Sequence, residues 1–174
     1  MLDGQDLNSR LEELAVRVAT VLKERGQKIV FAESCTGGKM AAAMTTVPGI
    51  SASFCGSAVT YREATKTEWL SVAESDLAEH TAESEFTTRK MAQSVLEKTP
   101  EADFSVAITG HLGPGVEAAI DGRIFVVLSK RADGSFVFNA AEFRLGGGDR
   151  KQRQTEAACF ALQHFMDAIA TVQN

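Results

Sequence analysis

Residues 27–49 read QKIVFAESCTGGKMAAAMTTVPG, and the reading of this stretch decides the fold class. QKIVFAES is a short apolar run of strand type. TGGKMAAAMTTV is alanine-rich and helical, and it stops before Pro48-Gly49. A strand that turns through glycines into a helix is the start of an α/β unit. It is also a place for chemistry, because ligands in open α/β sheets gather beyond the carboxyl ends of strands. Ser34 stands at that point, followed by Cys35, Thr36, Gly37 and Gly38. The turn has three readings. Ser34 or Thr36 can cap the helix, the commonest use of these residue types. The turn can hold phosphate, although ESCTGGK lacks the GxxxxGK[ST] spacing of a triphosphate loop. Ser34 can be a nucleophile, if a base takes its proton. Amides at a helix start would then stabilise an oxyanion, and Gly37 and Gly38 let a ligand come close to the backbone.

The rest of the chain extends the same alternation. Leu11, Leu14, Ala15, Val18 and Leu22 recur at helical spacing, which predicts a helix over 7–25 ended by Gly26. SASFCGSAVTY predicts a strand near Phe54–Tyr61, and REATKTEWLSV returns to helical character. Ser84 starts a helix that runs to Pro100, with Phe86, Met91, Val95 and Leu96 largely on one side. ADFSVAITG is a buried strand closed by Gly110, and HLGPGVEAAIDG is a glycine-rich loop. RIFVVLSK and FVFNAAEFR form a hairpin around Asp133-Gly134. The last segment opens with GGGDRKQR and becomes a long helix. These elements predict one domain over residues 1–174. Its fold is a three-layer α/β/α arrangement with a mixed, mostly parallel five-stranded sheet.

Composition narrows the function. With 174 residues the chain can bury one real core. Its net charge is −5 and no basic block is present, which argues against a nucleic-acid partner. No apolar run approaches the roughly 18 residues of a membrane helix. The N-terminus is acidic and amphipathic without an apolar signal core, so the expected compartment is the cytoplasm. Cys35, Cys55 and Cys159 are odd in number and widely spaced without CxxC, which argues against disulfides and zinc. No metal and no cofactor are expected. The apolar face of the N-terminal helix suits a homo-oligomer.

Ser34 needs a partner to act as a nucleophile. His80 follows an acidic loop and reads as exposed. His164 reads as surface or edge of the last helix. His111, in the glycine-rich turn after a strand, is the one serious histidine, but no GxSxG elbow accompanies Ser34. TYREATK offers Lys66 instead. A lysine in a desolvated pocket loses its proton and can serve as base, although a solvated helix charge is the commoner use. Cys35 has no assignable basic partner and reads as a small packed residue.

AESCTGG, VPG, VTYREATK, ITGHLGPG and GGGDRKQR occur in this order. Together they resemble the CinA C-terminal domain family, which includes bacterial nicotinamide mononucleotide deamidases. The resemblance runs from about Leu11 to Ala170 and implies the stand-alone form, without a preceding molybdopterin-type domain. It implies hydrolysis of a pyridine mononucleotide to nicotinate mononucleotide and ammonia by a metal-free serine–lysine mechanism. Carried over residue by residue, Ser34 would attack and Lys66 would take its proton, with Tyr61 orienting Lys66 or relaying the proton. Amides near Cys35, Thr36, Gly37 and Gly38 would hold the oxyanion. Thr109 and Gly110 match the TG that closes the third strand. There Thr109 would bond substrate, position Ser34 or simply close the strand. Gly113, Pro114 and Gly115 match the GPG turn, which with Arg150 or Arg153 would receive the 5′-phosphate. Two features depart from the family pattern. His111 follows TG where an apolar residue is usual, and GPGVEAAIDG is shorter than the usual loop. Glu117 and Asp121 put negative charge into that loop. Two other functions remain: a non-catalytic nucleotide-binding or regulatory domain, and a hydrolase of another small amide that uses His111.

Overall fold

The computed structural model describes residues 4–171. Among them run α1 (Gly4–Arg25), β1 (Ile29–Glu33), α2 (Lys39–Thr45), β2 (Phe54–Val59), α3 (Glu63–Leu70) and α4 (Glu74–His80). Then follow α5 (Glu85–Glu97), β3 (Phe104–Gly110), β4 (Arg123–Ala132), β5 (Ser135–Arg144) and α6 (Arg150–Thr171). The strands form one mixed sheet in the order β2-β1-β3-β4-β5. β1 pairs in parallel with β2 and β3, while β4 is antiparallel to both β3 and β5. Four strands therefore point one way and β4 alone runs against them. The hairpin turn falls at Asp133-Gly134 as expected, both residues having positive φ (32° and 80°), the geometry of a two-residue hairpin turn.

Period-two alternation assigns the two faces of the sheet. Ile29 and Phe31 of β1, Phe104, Val106 and Ile108 of β3, and Ile124, Val126 and Leu128 of β4 meet α1, α2 and α6. Val30, Ala32, Ala107 and Val127 face the other way, into a second core with Leu70, Leu77, Met91 and Leu96 from α3, α4 and α5. The second face also carries Ser105, whose hydroxyl donates to the Ala92 carbonyl at 2.6 Å. Small residues there let α5 lie close on the sheet. On the first face, Leu11, Leu14, Ala15, Val18 and Leu22 of α1 are covered by this chain's own core, so the face that suited an oligomer is already occupied.

Three local expectations change. The acidic stretch before His80 is a helix, α4, with Glu74 and Asp76 in its first turn and Leu77 buried. Carboxylates at a helix start are electrostatically favoured, so this short acidic segment holds as a helix on one apolar anchor. His164 is buried, and its Nε2 lies 3.1 Å from the Asn139 carbonyl. Lys66 is not a solvated helix charge, since it is 1% exposed. No helix among the described residues is long and apolar enough to cross a membrane.

Candidate active site

The carboxyl ends of β1, β2 and β3 meet at one rim of the sheet, and the β1–α2 turn forms its centre. Glu33, the last residue of β1, shares the face of Ile29 and Phe31 and so points toward α2. It is fully buried. One carboxylate oxygen accepts from Thr36 Oγ1 (2.8 Å), Gly38 N (3.1 Å) and Met40 N (3.1 Å). The other accepts from Ala41 N and Ser57 Oγ, each at 3.0 Å. Five donors thus converge on one carboxylate and fix the turn. The capping reading of Ser34 and Thr36 is therefore corrected: Gly38 is the N-cap without a side-chain bond, and Glu33 serves the helix amides. Gly37 and Gly38 take φ of 62° and 94°, which a side chain would resist.

This leaves the Ser34 hydroxyl free to face elsewhere. Ser34 N donates to the Ile108 carbonyl (3.1 Å) and Ser34 O accepts from Gly37 N (3.1 Å), so its backbone is held on both sides. Its Oγ lies 3.0 Å from Lys66 Nζ. The Lys66 amine also donates to the Thr60 carbonyl at 2.8 Å. Burial lowers the Lys66 pKa below the ordinary 10.5, against the opposing pull of Glu83, Cys35 and Glu63. An ammonium would donate both bonds. A neutral amine would donate to Thr60 and accept the serine proton, the geometry of a base. Burial pushes the adjacent Cys35 thiol up to about 12, so it stays protonated and is a poor nucleophile.

Ser34, Cys35, Tyr61, Glu83, His111, Gly113 and Arg150 are among the residues lining a cleft of about 220 Å³. Leu112, Pro114, Val116 and Arg150 are shared with a neighbouring hollow of about 600 Å³, which adds Asp121 and Arg153. Arg150 Nη2 donates to the Tyr61 hydroxyl at 2.8 Å, and its Nη1 to the Gly113 carbonyl. Arg153 makes a two-pronged pair with Asp121, at 2.6 and 2.9 Å. The guanidinium holds the Asp121 carboxyl below its usual range. A Cβ on Gly113 would come within 2.9 Å of both partners of that pair. On Gly110 it would lie 2.6 Å from the Arg123 carbonyl, so glycine is needed where β3 passes β4. A separate hollow of about 130 Å³ includes Leu7, Arg10 and Cys159 in its lining and holds no serine–base pair.

Residues 11–169 match the family of the CinA C-terminal domain. The chain belongs to that family. A nicotinamide-nucleotide amidohydrolase PncC of Enterobacter agglomerans is 38% identical over 156 residues, 88% of this chain and 92% of that one. The PncC of Escherichia coli K12 is 36% identical over 159 residues, 90% and 93% of the two chains. A CinA superfamily protein of Klebsiella pneumoniae superposes with a TM-score of 0.84 at 30% identity, covering 92% of this chain and 98% of that one. A competence/damage-inducible protein of Agrobacterium tumefaciens gives 0.82 at 32%, covering 91% and 94%.

In this CinA-domain chain the residues expected to form a site are only partly brought together. Ser34, Lys66, Tyr61, Gly110, Gly113 and Arg150 meet at one rim, and Cys35 lines the cleft through its place beside Ser34. Tyr61 does not bond Lys66; its phenol accepts from Arg150, and the Thr60 carbonyl holds the lysine. Thr109 faces α5, fully buried, with its hydroxyl 2.7 Å from Thr88 Oγ1. Thr88 donates to the Ser84 carbonyl, so Thr109 donates to Thr88 and serves the sheet–helix contact rather than substrate. The amides of Gly37 and Gly38 are engaged by Ser34 and Glu33, whereas those of Cys35 and Thr36 donate to no other residue among those described. Arg153 and Gly115 line the outer hollow, with Arg153 committed to Asp121. Glu33 and Glu83 were missed. Glu33 could have been found from its position: a glutamate closing an apolar strand on the inward face must meet donors. No cluster of three or more His, Cys, Asp or Glu among the described residues is arranged to hold a metal ion.

Proposed function

We propose that this chain hydrolyses the carboxamide of nicotinamide mononucleotide, giving nicotinate mononucleotide and ammonia, with Ser34 as nucleophile and Lys66 as base. The carrying observation is the water-shielded Lys66 amine 3.0 Å from Ser34 Oγ at the wall of a cleft. It stands in a chain 38% identical to a nicotinamide-nucleotide amidohydrolase. Neutral Lys66 takes the hydroxyl proton as Oγ attacks the amide carbon. The Cys35 and Thr36 amides stabilise the oxyanion that develops. Lys66 returns the proton to the departing nitrogen, and ammonia leaves an ester on Ser34. Water then attacks the ester as Lys66 takes a proton from it, and Lys66 passes that proton to the departing Ser34 Oγ, so the acid is released and both residues are restored.

Arg150 receives the phosphate in this reading. It borders both hollows and is held by Tyr61 and Gly113 without a carboxylate partner among the described residues. A guanidinium so placed gains a charge-assisted pair with phosphate. Tyr61 thereby acts on Arg150, not on the proton transfer. Ammonia release measured on nicotinamide mononucleotide, its riboside and free nicotinamide tests the reading. The expected result is turnover of the mononucleotide with an equal amount of acid formed. Binding without ammonia release would make this a nucleotide-binding member of the family instead.

A further inference from the structure

Resting on that reading, we propose that Glu83 selects substrates whose carboxamide sits on a cationic aromatic ring and weakens the hold on the anionic product. Glu83 lines the same cleft as Ser34 and Arg150 and is half-buried. Its carboxylate makes no hydrogen bond and no ion pair among the described residues, although Lys66 and Cys35 both feel its charge. A carboxylate at the wall of a cleft with no protein partner is open to a cationic group of a ligand.

Its position is fixed by its neighbours. Thr81 holds φ 68° and ψ 161°, a region that residues with side chains rarely occupy. The Thr81 carbonyl accepts from Thr87 Oγ1 (2.6 Å) and Ser84 Oγ (3.3 Å). Ser84 Oγ in turn accepts from Thr87 N at 3.2 Å, capping α5. The backbone is thus pinned on both sides of Glu83, and the strained turn presents that side chain to the cleft.

The cleft consequently carries one anion, Glu83, and one cation held by two hydrogen bonds, Arg150, in the same lining as the nucleophile. A ligand that fits both has a positive ring near the carboxamide and a negative group further out. Charge selection of this kind acts as much by rejecting wrong partners as by attracting the right one. Hydrolysis converts a neutral carboxamide into a carboxylate beside Glu83, and like charges repel, so the product binds less tightly than the substrate.

The test compares two mononucleotides of the same shape: the oxidised form with its pyridinium ring, and the reduced dihydropyridine form, whose ring is neutral. Dissociation constants are measured by calorimetry on Ser34→Ala protein, which holds ligand without consuming it, with and without Glu83→Gln. We expect Glu83→Gln to weaken the oxidised form about tenfold. It should leave the reduced form within about twofold and tighten the acid product severalfold. An indirect effect through Lys66 would move both mononucleotides alike. Equal changes in the two forms, no change, or no measurable binding of either overturns the inference. Ammonia release by the unsubstituted protein is read separately. If it fails while the Glu83-dependent preference holds, the hydrolase reading falls and the charge selection stands.

Discussion

With 1% of its surface in water, Lys66 is uncharged over a wider pH range than a surface lysine. Its folded pKa is lowered, so the neutral, base-competent form grows as pH rises, and the midpoint lies below the ordinary 10.5. We predict that kcat/KM for ammonia release rises with pH along this limb. The charged or titratable groups acting on Lys66 are Glu83, Cys35 and Glu63, all of which raise its pKa. Glu83→Gln should therefore move the rise to lower pH. A kcat/KM that shows no rising limb at any pH where the protein is folded, or a limb unmoved by Glu83→Gln, would contradict the assignment. Ser34→Ala should fold normally and lose about a thousandfold or more in turnover, since no other group in the cleft forms the ester. Cys35→Ala serves as the contrast: it removes a packed thiol at a cost of about 1 kcal/mol and keeps turnover.

The β1–α2 turn depends on Glu33 as much as on its glycines. Glu33→Gln replaces one acceptor oxygen with an NH₂ facing backbone N–H groups, leaving buried donors unmet. Urea unfolding should show a loss of about 2–3 kcal/mol, with turnover falling because Ser34 moves off Lys66. Unchanged stability would mean that the five bonds to Glu33 are not what holds the turn. Gly37→Ala, at φ 62°, should cost about 1–2 kcal/mol by the same measurement. The strand and helix on either side were legible from pattern alone, as was the Asp133-Gly134 hairpin. Side-chain roles within the turn were not. Ser34 and Thr36 are both good capping types, and propensity cannot say that a glutamate on the inward face outcompetes them. α4 stayed hidden for a related reason: seven residues with Leu77 as the sole buried anchor carry no readable period.

Across the molecule, the site is assembled from segments far apart in the chain: the ends of three strands, α3 with Lys66, the turn before α5, the β3–β4 loop and the first turn of α6. The fold class and the Ser34–Lys66 candidates were legible because motif order and strand ends point to one rim. The division between the two arginines was not, since it depends on long-range partners: Arg150 meets Tyr61, while Arg153 meets Asp121. This division makes a prediction. Arg150→Ala should raise KM for the mononucleotide about tenfold or more and leave the riboside unchanged, whereas Arg153→Ala should leave that preference intact. Loss of the preference in Arg153→Ala with none in Arg150→Ala would move the phosphate to Arg153, and equal loss in both would contradict the division. In the proposed mechanism everything rests on one step, a desolvated lysine activating Ser34. It is tested most directly by ammonia release from nicotinamide mononucleotide in folded Lys66→Arg protein beside the unsubstituted chain. A guanidinium keeps the positive charge but cannot give up its proton to become a base. Turnover is expected in the unsubstituted chain, with a loss of about a thousandfold or more in folded Lys66→Arg protein. Near-equal turnover in the two proteins would contradict the mechanism.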